Sequence, residues 1–514
     1  MWISAKFSLE DGRFFAEGEC IIRENENYQI VLMSNSPENE IDNLCTILFK
    51  DADKGVKYIN GRYTLLMYNK KSHCLYCCQD FLCGLAPLYY TQKDGVIYLS
   101  TSLKKLLLSS EIKRKINSKA KRMFEIRNAV YNGNTLIKNV YKLQLQKALV
   151  ISTQGIKLIN NKFVLPPNIL NTEGYSLSEC ESLWGDCLKN SIKSCVSQNA
   201  SIAMPLSSGY DSNYILWSLA QNNQKQIHCY CVGGAKGINE ISSAKEISQQ
   251  YPSTVFSSTE VTSATFQSLP DILWRLEGSV YEQGVFLQYE LAKAVAKAGE
   301  SSVLCGEGSD EIFSDSFYRD LVNFDDNSSV FHHRRGNMYV WLAHYISRKS
   351  TLIMNSFGVK PSYPYSDISV VAMAKYVKEV SKKRGKTFHK DFCKKVFSPE
   401  VMKKINSVGG KTELTSLFKD DPYQELKNLK KREKIHFGLF LMLIDMYEIA
   451  RMCLVNIIKG HRYDITKEIN QRYMNNVIVE LYIKTFSEIY LTGKYDKYFN
   501  DTSFNITLDE IFDK

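Results

Sequence analysis

The sequence predicts an α/β protein in which a β-rich N-terminal unit precedes a parallel-sheet unit and a mainly helical C-terminal part. Three observations predict this order. Short β-like runs separated by turn residues fill roughly the first 160 residues. Strand and helix patterns then alternate, which is typical of βαβ units. From about residue 330 the pattern is mostly helical and rich in lysine.

The N-terminal unit is predicted from five apolar runs, YQIVLM, RYTLLMY, HCLYCC, GVIYLS and KALVIS. Their spacing indicates an antiparallel sheet unit. The stretch KFVLPPNILNTEGYS at 162–176 contains two prolines and polar turn residues, and it is predicted to be a linker. We therefore expect two domains, over residues 1–165 and 175–514.

The second unit is predicted from an alternation of helix and strand patterns. A helical stretch, LSECESLWGDCLKNSIKSCV, precedes the strand SIAMPL, the helix SNYILWSLAQ and the strand IHCYCV. A helix near 285–298 and the strand SSVLCG follow. This order favours right-handed crossovers and a parallel sheet.

Composition excludes several classes of protein. The chain has 514 residues, 44% of them hydrophobic and 23% charged, as in ordinary globular proteins. The N-terminal stretch MWISAKFSLEDGRF does not resemble a secretory leader, and no run approaches the roughly 20 apolar residues of a membrane span. We expect a cytoplasmic protein without a membrane partner. The 14 cysteines are expected to be reduced thiols, as is usual in a large chain without a secretory leader. The cysteine pair in CLYCC lacks the second pair of ligands that a zinc or iron–sulfur site needs, so no metal site is expected there.

The net charge of +10 is concentrated in one segment. Residues 378–434 contain 17 Lys or Arg and 8 Asp or Glu, an excess of 9. A basic segment indicates either solvated helix faces or contact with polyanions such as a triphosphate or an acidic peptide. It has few interleaved aromatic residues, so it does not favour nucleic acid as a partner.

The first predicted strand end that carries unusual residues is PLSSGYDS. Two serines and Gly209 lie between the strand and the following helix, where backbone N–H groups and the helix dipole attract phosphate. Asp211 in the same turn would repel phosphate unless a cation, most simply Mg²⁺, lay between them. The alternative is a capped strand–helix turn without a ligand.

Two further strand ends carry glycines and carboxylates. Gly233 and Gly234 follow the second strand, and VLCGEGSDEIFSD follows the third. Three carboxylates within five residues, at Glu307, Asp310 and the next position, favour a bound cation. Since carboxyl ends of parallel strands meet at one edge of the sheet, Asp211 and Asp310 are predicted to share a magnesium ion.

These motifs resemble those of the asparagine synthetase family. PLSSGYDS is similar to the pyrophosphate-loop motif SGGxDS, LCGEGSDEIF to LSGEGADELF, and FGVKPSYPYSD to VEVRFPFLD. In the N-terminal unit, INGRYTLLMYN and QDFLCGLAPLYY resemble the family's LNGxFAFxIYD and RDxxGxxPLYY, and GNTLIKNVYKL resembles the segment that closes its glutaminase domain. The resemblance covers roughly residues 55–370.

The resemblance implies an N-terminal-nucleophile glutaminase-like domain followed by an ATP-pyrophosphatase domain with a doubly wound parallel sheet. It implies an AMP-forming amide ligase that uses ATP and Mg²⁺. Glu307 is implied as the general base, and Asp211 and Asp310 as magnesium ligands. Residues implied to bind ATP are Leu206, Ser207, Gly209, Asp211, Ser212, Val232 and Gly306.

Three departures from the family pattern qualify these expectations. Trp2 stands where the family's glutaminases have cysteine, so glutamine hydrolysis is not expected. In lacking this cysteine the chain resembles the β-lactam synthetases and the lasso-peptide macrolactam synthetases. Ser208 replaces a motif glycine. The family's catalytic lysine follows an R-x-K-x-G pattern without a strict counterpart here; Lys411 is the candidate, with Lys404 as the alternative.

Four functions stay open from the sequence. The favoured one is a ligase that joins a carboxylate to an internal amine of a peptide or small amino-acid-derived substrate, as a lasso-peptide cyclase does. Such an enzyme would work beside a partner protease or leader-binding protein. The second is an ammonia-dependent asparagine synthetase or amidotransferase. A tRNA-modifying enzyme and a non-catalytic scaffold are the other two.

Overall fold

The computed structural model describes most of the chain. The described residues are 2–34, 38–50, 63–80, 86–127, 133–144, 147–160, 175–196, 201–222, 225–234, 240–278, 284–313, 347–381, 386–405 and 465–512, with 130, 446, 447, 449, 450 and 453. The predicted linker lies almost wholly outside them, so the predicted domain limits stay predictions.

Two antiparallel sheets form the N-terminal unit, as the apolar runs predict. One has the order β2-β1-β8-β7-β9 and the other β11-β10-β6-β5-β4-β3. The strands are β1 (Ile3–Ser8), β2 (Phe14–Gly18), β3 (Ile21–Glu24), β4 (Tyr28–Ser34), β5 (Tyr63–Asn69), β6 (Cys74–Gln79), β7 (Tyr89–Lys93), β8 (Val96–Ser100), β9 (Tyr141–Lys142), β10 (Lys147–Ser152) and β11 (Gly155–Asn160).

Both faces of the central strand β5 are buried, which explains its continuous apolar sequence. Leu66 faces the other sheet and packs in one core with Phe7 and Leu99. Leu65 faces the opposite side, where it packs with Leu48. Leu48 belongs to helix α1 (Glu38–Lys50), which covers the outer face of the sheet. The unit is therefore a sandwich of two sheets with a helix on one side.

The second unit contains parallel strands, in agreement with the predicted alternation. Strands β12 (Ser201–Pro205), β13 (Gln226–Gly234) and β14 (Thr254–Val261) form one parallel sheet. β15 (Ser302–Leu304) pairs in parallel with β16 (Lys360–Ser362), and β15 lies beside β12. The carboxyl ends of β12, β13 and β15 therefore point to the same side.

Helices connect and cover these strands. The helix over Leu177–Cys195, α4, begins with a capping box in which Ser176 and Glu179 satisfy each other's backbone N–H groups. After α1, the helices are α2 (Leu103–Ser110), α3 (Ser118–Arg127), α4 (Leu177–Cys195), α5 (Tyr210–Asn222), α6 (Glu240–Ser248), α7 (Ser263–Gln267), α8 (Leu269–Leu276), α9 (Gly284–Lys297), α10 (Ser309–Phe313), α11 (Ser347–Ser356), α12 (Ile368–Ser381), α13 (Thr387–Val396), α14 (Pro399–Lys404), α15 (Ile465–Leu491) and α16 (Leu508–Phe512).

The long helix α15 contacts both units. Its Tyr482 stacks on Phe124 of α3, with ring centroids 5.0 Å apart. Its Tyr490 donates a hydrogen bond of 3.0 Å to the carbonyl oxygen of Trp274 at the end of α8. One apolar core therefore continues from the N-terminal unit through α15 into the second unit.

Polar contacts reinforce this junction between the units. The buried carboxylate of Glu277 accepts hydrogen bonds of 2.7 Å from the Ser102 hydroxyl and from the Leu103 backbone N–H, and so caps α2 from the other unit. The Lys104 ammonium donates to the carbonyl oxygen of Trp274 at 3.2 Å and lies 3.0 Å from the centre of its ring. We refer to this set of contacts as the α2–α8 junction.

Candidate active site

A cavity of about 350 Å³ opens where the predicted strand ends meet. It is lined by residues that follow β12 and β15, by Val232 and its two preceding neighbours within β13, by Glu240 of α6, and by residues of α9. The α9 residues are Leu287, Gln288 and Leu291. The sequence-predicted residues that line it are Leu206, Ser207, Asp211, Ser212, Val232, Gly306, Glu307 and Asp310. The structure thus brings together in one cavity residues that the sequence separates by about a hundred positions.

The loop between β12 and α5 is held by its own side chains. The Ser207 and Ser212 hydroxyls lie 3.1 Å apart, and Ser207 Oγ accepts a hydrogen bond from the Gly209 N–H. The Asn213 amide donates to the carbonyl oxygens of Ser207 and Gly209 at 2.8 and 2.7 Å. Gly209 lies in this loop without lining the cavity. The loop is therefore preorganised around the first turn of α5.

Gly306 is required by a close approach of two backbones. A Cβ at this position would lie 3.3 Å from the backbone nitrogen of Ser212 and 3.5 Å from its Cα. Contacts this short are rare for side-chain carbons, and here the neighbour is rigid backbone. The glycine thus lets the loop after β15 approach the first turn of α5, which brings Asp310 towards Asp211.

Ser208, which stands in place of the motif glycine, is buried against Glu240 of α6. Its hydroxyl donates to Glu240 Oε1 at 2.9 Å, and its backbone N–H donates to the same oxygen at 2.5 Å. Ser208 is 1% exposed. The loop accommodates this side chain because the first residue of α6 supplies an acceptor. The sequence flags Ser208, whereas its partner is visible only in the structure.

Asp211 and Asp310 face each other across one cation, the Lys386 ammonium. Lys386 Nζ donates to Asp310 Oδ1 at 2.7 Å and also to Asp211 Oδ2. The Lys386 side chain is 6% exposed. Burial alone would disfavour the ammonium, but the two carboxylates outweigh burial and raise the pKa of Lys386. Burial would likewise raise the pKa of Asp211, and Lys386 with His389 lowers it below its ordinary value.

This pair of carboxylates fits a divalent cation. One ammonium reaches both of them, and Asp211 and Asp310 would be the residues to hold such a cation. Asp211 Oδ1 is buried and makes no hydrogen bond within the described part of the chain, with His389 Nε2 3.4 Å away, and carboxylate oxygens are the ligands that a hard cation prefers. Among the described residues, no group of three or more His, Cys, Asp or Glu side chains forms a metal site.

The predicted catalytic lysine stays a prediction at Lys411, and the structure does not support the alternative, Lys404. Lys411 lies outside the described residues. Lys404, the alternative, ends α14 and pairs with Glu246 at the surface, so it is not in the cavity. Lys386 occupies the position between the two aspartates instead. A sequence signal existed: Arg384-Gly385-Lys386 has the first three residues of the R-x-K-x-G pattern and lacks its glycine.

Glu307 lies in the cavity, where the family resemblance places a general base. Its Oε1 accepts a hydrogen bond of 2.8 Å from the Ser350 hydroxyl of α11. Its Oε2 is buried and has no hydrogen-bond partner among the described residues. The carboxylate is therefore oriented through one oxygen while the other keeps its capacity to accept a proton.

Trp2 lies next to the first strand of the sandwich. The backbone N–H of the following residue, Ile3, donates to Thr101 Oγ1 at 2.8 Å. The ammonium of Lys105 lies 4.0 Å from the centre of the Trp2 ring. Side-chain packing therefore occupies the position at which the resemblance expects a nucleophile.

In the described part of the chain, no helix is both long and apolar enough to span a membrane.

Comparison with known families gives two matches in the order that the sequence predicts. Residues 39–164 match a glutamine amidotransferase domain, and residues 183–356 match asparagine synthase. The second match contains Asp211, Glu307 and Asp310 but ends before Lys386. The chain therefore carries one region similar to each of these two domains, in this order.

Curated relatives agree with these matches. The chain is 24% identical over 273 residues to the glutamine-hydrolysing asparagine synthetase 1 of Bacillus subtilis (strain 168), covering 53% of this chain and 42% of the relative. It is 24% identical over 264 residues to the putative glutamine-hydrolysing asparagine synthetase 2 of Methanocaldococcus jannaschii, covering 50% of each. The chain thus spans about half the length, or less, of the curated relatives it matches.

A match to a solved structure is weaker. The allosteric regulatory enzyme of purine biosynthesis aligns with 9% identity and a TM-score of 0.21, over 50% of this chain and 74% of that chain. A score at this level adds nothing to the assignment. Together, the two matched domains and the curated relatives support assignment of the chain to the asparagine synthetase family.

Proposed function

We propose that the protein is an AMP-forming amide ligase that uses ATP and Mg²⁺ to activate a carboxylate and join it to an amine. The observation that carries the proposal is the pair Asp211 and Asp310, held opposite each other by Lys386 in the cavity at the strand ends. Lys386 is buried while Asp310 is half exposed to the cavity, and burying a charged group next to carboxylates is costly, so such arrangements are found mainly in active sites.

The first half-reaction forms an acyl-adenylate. A carboxylate oxygen of the substrate attacks the α-phosphorus of ATP, and the bond from that phosphorus to the bridging oxygen of the β-phosphate breaks. The loop of Ser207 to Ser212 binds the phosphates through its backbone and hydroxyl groups. Asp211 and Asp310 would hold Mg²⁺, which supplies charge neutralisation to the leaving pyrophosphate. The Lys386 ammonium stabilises the same developing negative charge from the protein side.

The second half-reaction forms the amide. The amine nitrogen attacks the acyl carbon, the bond from that carbon to the AMP oxygen breaks, and AMP leaves. The attacking nitrogen must lose a proton, and Glu307, which lines the cavity and has one oxygen without a hydrogen-bond partner among the described residues, is the proposed acceptor. Ser350 keeps the carboxylate oriented meanwhile.

We further propose that the amine is internal to a peptide or small amino-acid-derived substrate, as in a macrolactam synthetase. Support comes from Trp2, which replaces the nucleophile that would release ammonia from glutamine. The basic segment 378–434, which includes Lys386, would suit an acidic or phosphorylated ligand. A partner protease or leader-binding protein belongs to the same proposal, because peptide cyclases act on processed precursors.

A second candidate is synthesis of asparagine, or of another amide, from free ammonia. Glu307 favours it, because a general base serves ammonia as well as an internal amine.

The test is product analysis with ATP, Mg²⁺ and a panel of carboxylates. The proposal predicts AMP and pyrophosphate in equal amounts, formed without glutamine, and ADP formation contradicts it. Asparagine made from aspartate and ammonium chloride would select the second candidate. Turnover only with a peptide that carries both groups would select the first.

A further inference from the structure

A buried histidine lies directly behind the ion-paired group of the active site. His389 is the third residue of α13 and is 0% exposed. Four aromatic rings surround it, with centroids 5.5 to 5.9 Å from the imidazole, and they belong to Trp184, Tyr214, Phe313 and Tyr365. An imidazole so enclosed is out of reach of substrate, so its contribution has to pass through its neighbours.

Trp184 determines which imidazole nitrogen carries the proton. The indole N–H of Trp184 donates to His389 Nδ1 at 3.3 Å. Indole nitrogen is a donor only, so Nδ1 must present its lone pair. The imidazole therefore carries its single proton on Nε2.

The Nε2–H of His389 faces the active site. Nε2 lies 3.2 Å from the Tyr365 hydroxyl oxygen and 3.4 Å from Asp211 Oδ1. The Tyr365 hydroxyl in turn donates to the backbone carbonyl oxygen of Asp211 at 3.2 Å. The donors thus run in one direction, from Trp184 to His389 to Tyr365 to Asp211. We call this series the Trp184–Asp211 chain.

The Trp184–Asp211 chain connects the two elements that form the ion pair. Lys386 precedes His389 by three residues and immediately precedes α13, so the two residues share one turn of backbone. Asp211 lies in the first turn of α5, across the cavity edge. Any rotation of the imidazole would change the separation between Asp211 and the backbone that carries Lys386.

We propose that His389 is a positioning residue: held by Trp184 as the Nε2–H tautomer, it fixes Asp211 relative to Lys386 through Tyr365. The inference rests on the proposed function, because its effect is expressed in the binding of ATP and Mg²⁺. Outer hydrogen-bond partners of metal ligands commonly change metal affinity by about 10- to 100-fold when they are removed.

The first test uses two tyrosines that pack on the same imidazole. Tyr365→Phe removes a hydroxyl within the Trp184–Asp211 chain. Tyr214→Phe removes a buried hydroxyl that has no hydrogen-bond partner among the described residues, so it is the matched control. The measurement is calorimetric titration of Mg²⁺ into the full chain with ATP in excess. We expect Tyr365→Phe to raise the half-saturating Mg²⁺ concentration about 10-fold and Tyr214→Phe to change it less than about twofold.

The second test asks whether the donors act as one chain. Trp184→Phe removes the indole donor, and Trp217→Phe, on neighbouring helix α5, is its control. We expect Trp184→Phe to weaken Mg²⁺ binding in the same direction as Tyr365→Phe. In the double variant, the half-saturating Mg²⁺ concentration should lie within about twofold of that of the weaker-binding single variant, because both substitutions break the same series of hydrogen bonds. Effects that multiply would overturn the inference.

A spectroscopic measurement separates this inference from the proposed function. Imidazole ¹⁵N shifts, assigned with His389→Gln, should show the Nε2–H tautomer in the wild-type chain and its loss in Trp184→Phe. Equal effects of Tyr365→Phe and Tyr214→Phe on Mg²⁺ binding, or a wild-type Nδ1–H tautomer, overturn the positioning role alone. Failure of the wild-type chain to bind ATP with Mg²⁺ overturns the proposed function and this inference with it.

Discussion

Two regions of the molecule each bury a lysine, and the two lysines behave in opposite ways. In the cavity, Asp211 and Asp310 raise the pKa of Lys386 despite its burial. At the α2–α8 junction, burial lowers the pKa of Lys104 to about 8, against the opposing effect of Glu277. The difference is that carboxylate oxygens contact the Lys386 ammonium directly, whereas Lys104 contacts a carbonyl oxygen and an aromatic ring.

The two regions differ in role: the charged groups of the cavity serve the proposed reaction, and those of the α2–α8 junction join the two units. The cavity concentrates charged groups that a packed core would not need, and the proposed ligase reaction uses Asp211, Asp310, Glu307 and Lys386 among them. The junction uses polar groups to join two units. The core of the N-terminal sandwich begins at Ile3 and does not include residue 2, so a substitution at Trp2 tests function there with little effect on the core.

The largest effect is expected from a substitution of Lys386. Without such an effect, the difference drawn between Lys386 in the cavity and Lys104 at the α2–α8 junction would have no functional meaning. Lys386→Ala should lower the turnover of pyrophosphate release about 1000-fold, the loss typical of a removed electrostatic contact in a transition state. Mg²⁺ binding should not weaken, because the ammonium occupies the position between the same two carboxylates. Steady-state kinetics and calorimetry measure both. Lys404→Ala, which removes a surface lysine, is the control, and equal losses in both variants would refute the assignment.

Glu307 should show the next largest effect. Glu307→Gln keeps the volume and can still accept the Ser350 hydrogen bond, but it cannot accept a proton. We expect amide formation to fall about 100-fold, while adenylation, measured by isotope exchange between pyrophosphate and ATP, stays within about threefold. Glu246→Gln at the surface is the control. Loss of both half-reactions in equal proportion would contradict a role as general base.

The junction lysine gives a smaller effect, seen in the pH dependence of stability. Between pH 8 and the ordinary lysine value of 10.5, the folded chain binds fewer protons at Lys104 than the unfolded chain does. Stability from this group therefore rises with pH in that window, by at most about 1.4 kcal/mol per pH unit. Urea unfolding measures this effect: between pH 8 and 10, the free energy of unfolding of the wild-type chain should increase by about 1 to 2 kcal/mol relative to that of Lys104→Met.

Lys105→Met serves as the control for that measurement, since Lys105 is a partly exposed lysine on the same helix. A constant difference between wild type and Lys104→Met across this range would show that the ammonium is not destabilised by burial. The contrast with Lys386 would then fail.

The smallest effect is expected at Trp2. Trp2→Ala should change ligase activity less than about twofold, and removing the contact with Lys105 should cost about 0.5 to 1 kcal/mol of stability. Neither form should release glutamate from glutamine, measured by a coupled glutamate assay. Glutamate release by the wild-type chain, abolished in Trp2→Ala, would assign chemistry to the N-terminal unit and remove the distinction between the two regions.

Most of the fold could be predicted from local sequence patterns. Apolar runs bounded by turns located β4, β5 and β8, and the alternation of helix and strand located β12, β13 and α9. Cavity residues such as Asp211 and Asp310 were predictable because parallel strand ends converge and the motifs sit directly on them.

Long-range partners were not predictable in the same way. Lys386 follows Asp310 by 76 residues in the chain, and only folding brings the two within 2.7 Å. Glu240 is an ordinary first-turn acid in sequence, yet it determines how Ser208 is accommodated. His389 belongs to no motif. Such contacts depend on how helices pack, and periodicity reports which face is apolar but not what that face meets.

Helix α15 has a consequence for dissecting the molecule. Tyr482 stacks on Phe124 of α3 in the N-terminal unit and Tyr490 donates to the last turn of α8, so both units depend on α15. A fragment that ends at the predicted linker would lack α15 and leave Phe124 without its stacking partner. The two units match different family models yet share one apolar core, so the chain is best expressed and engineered whole.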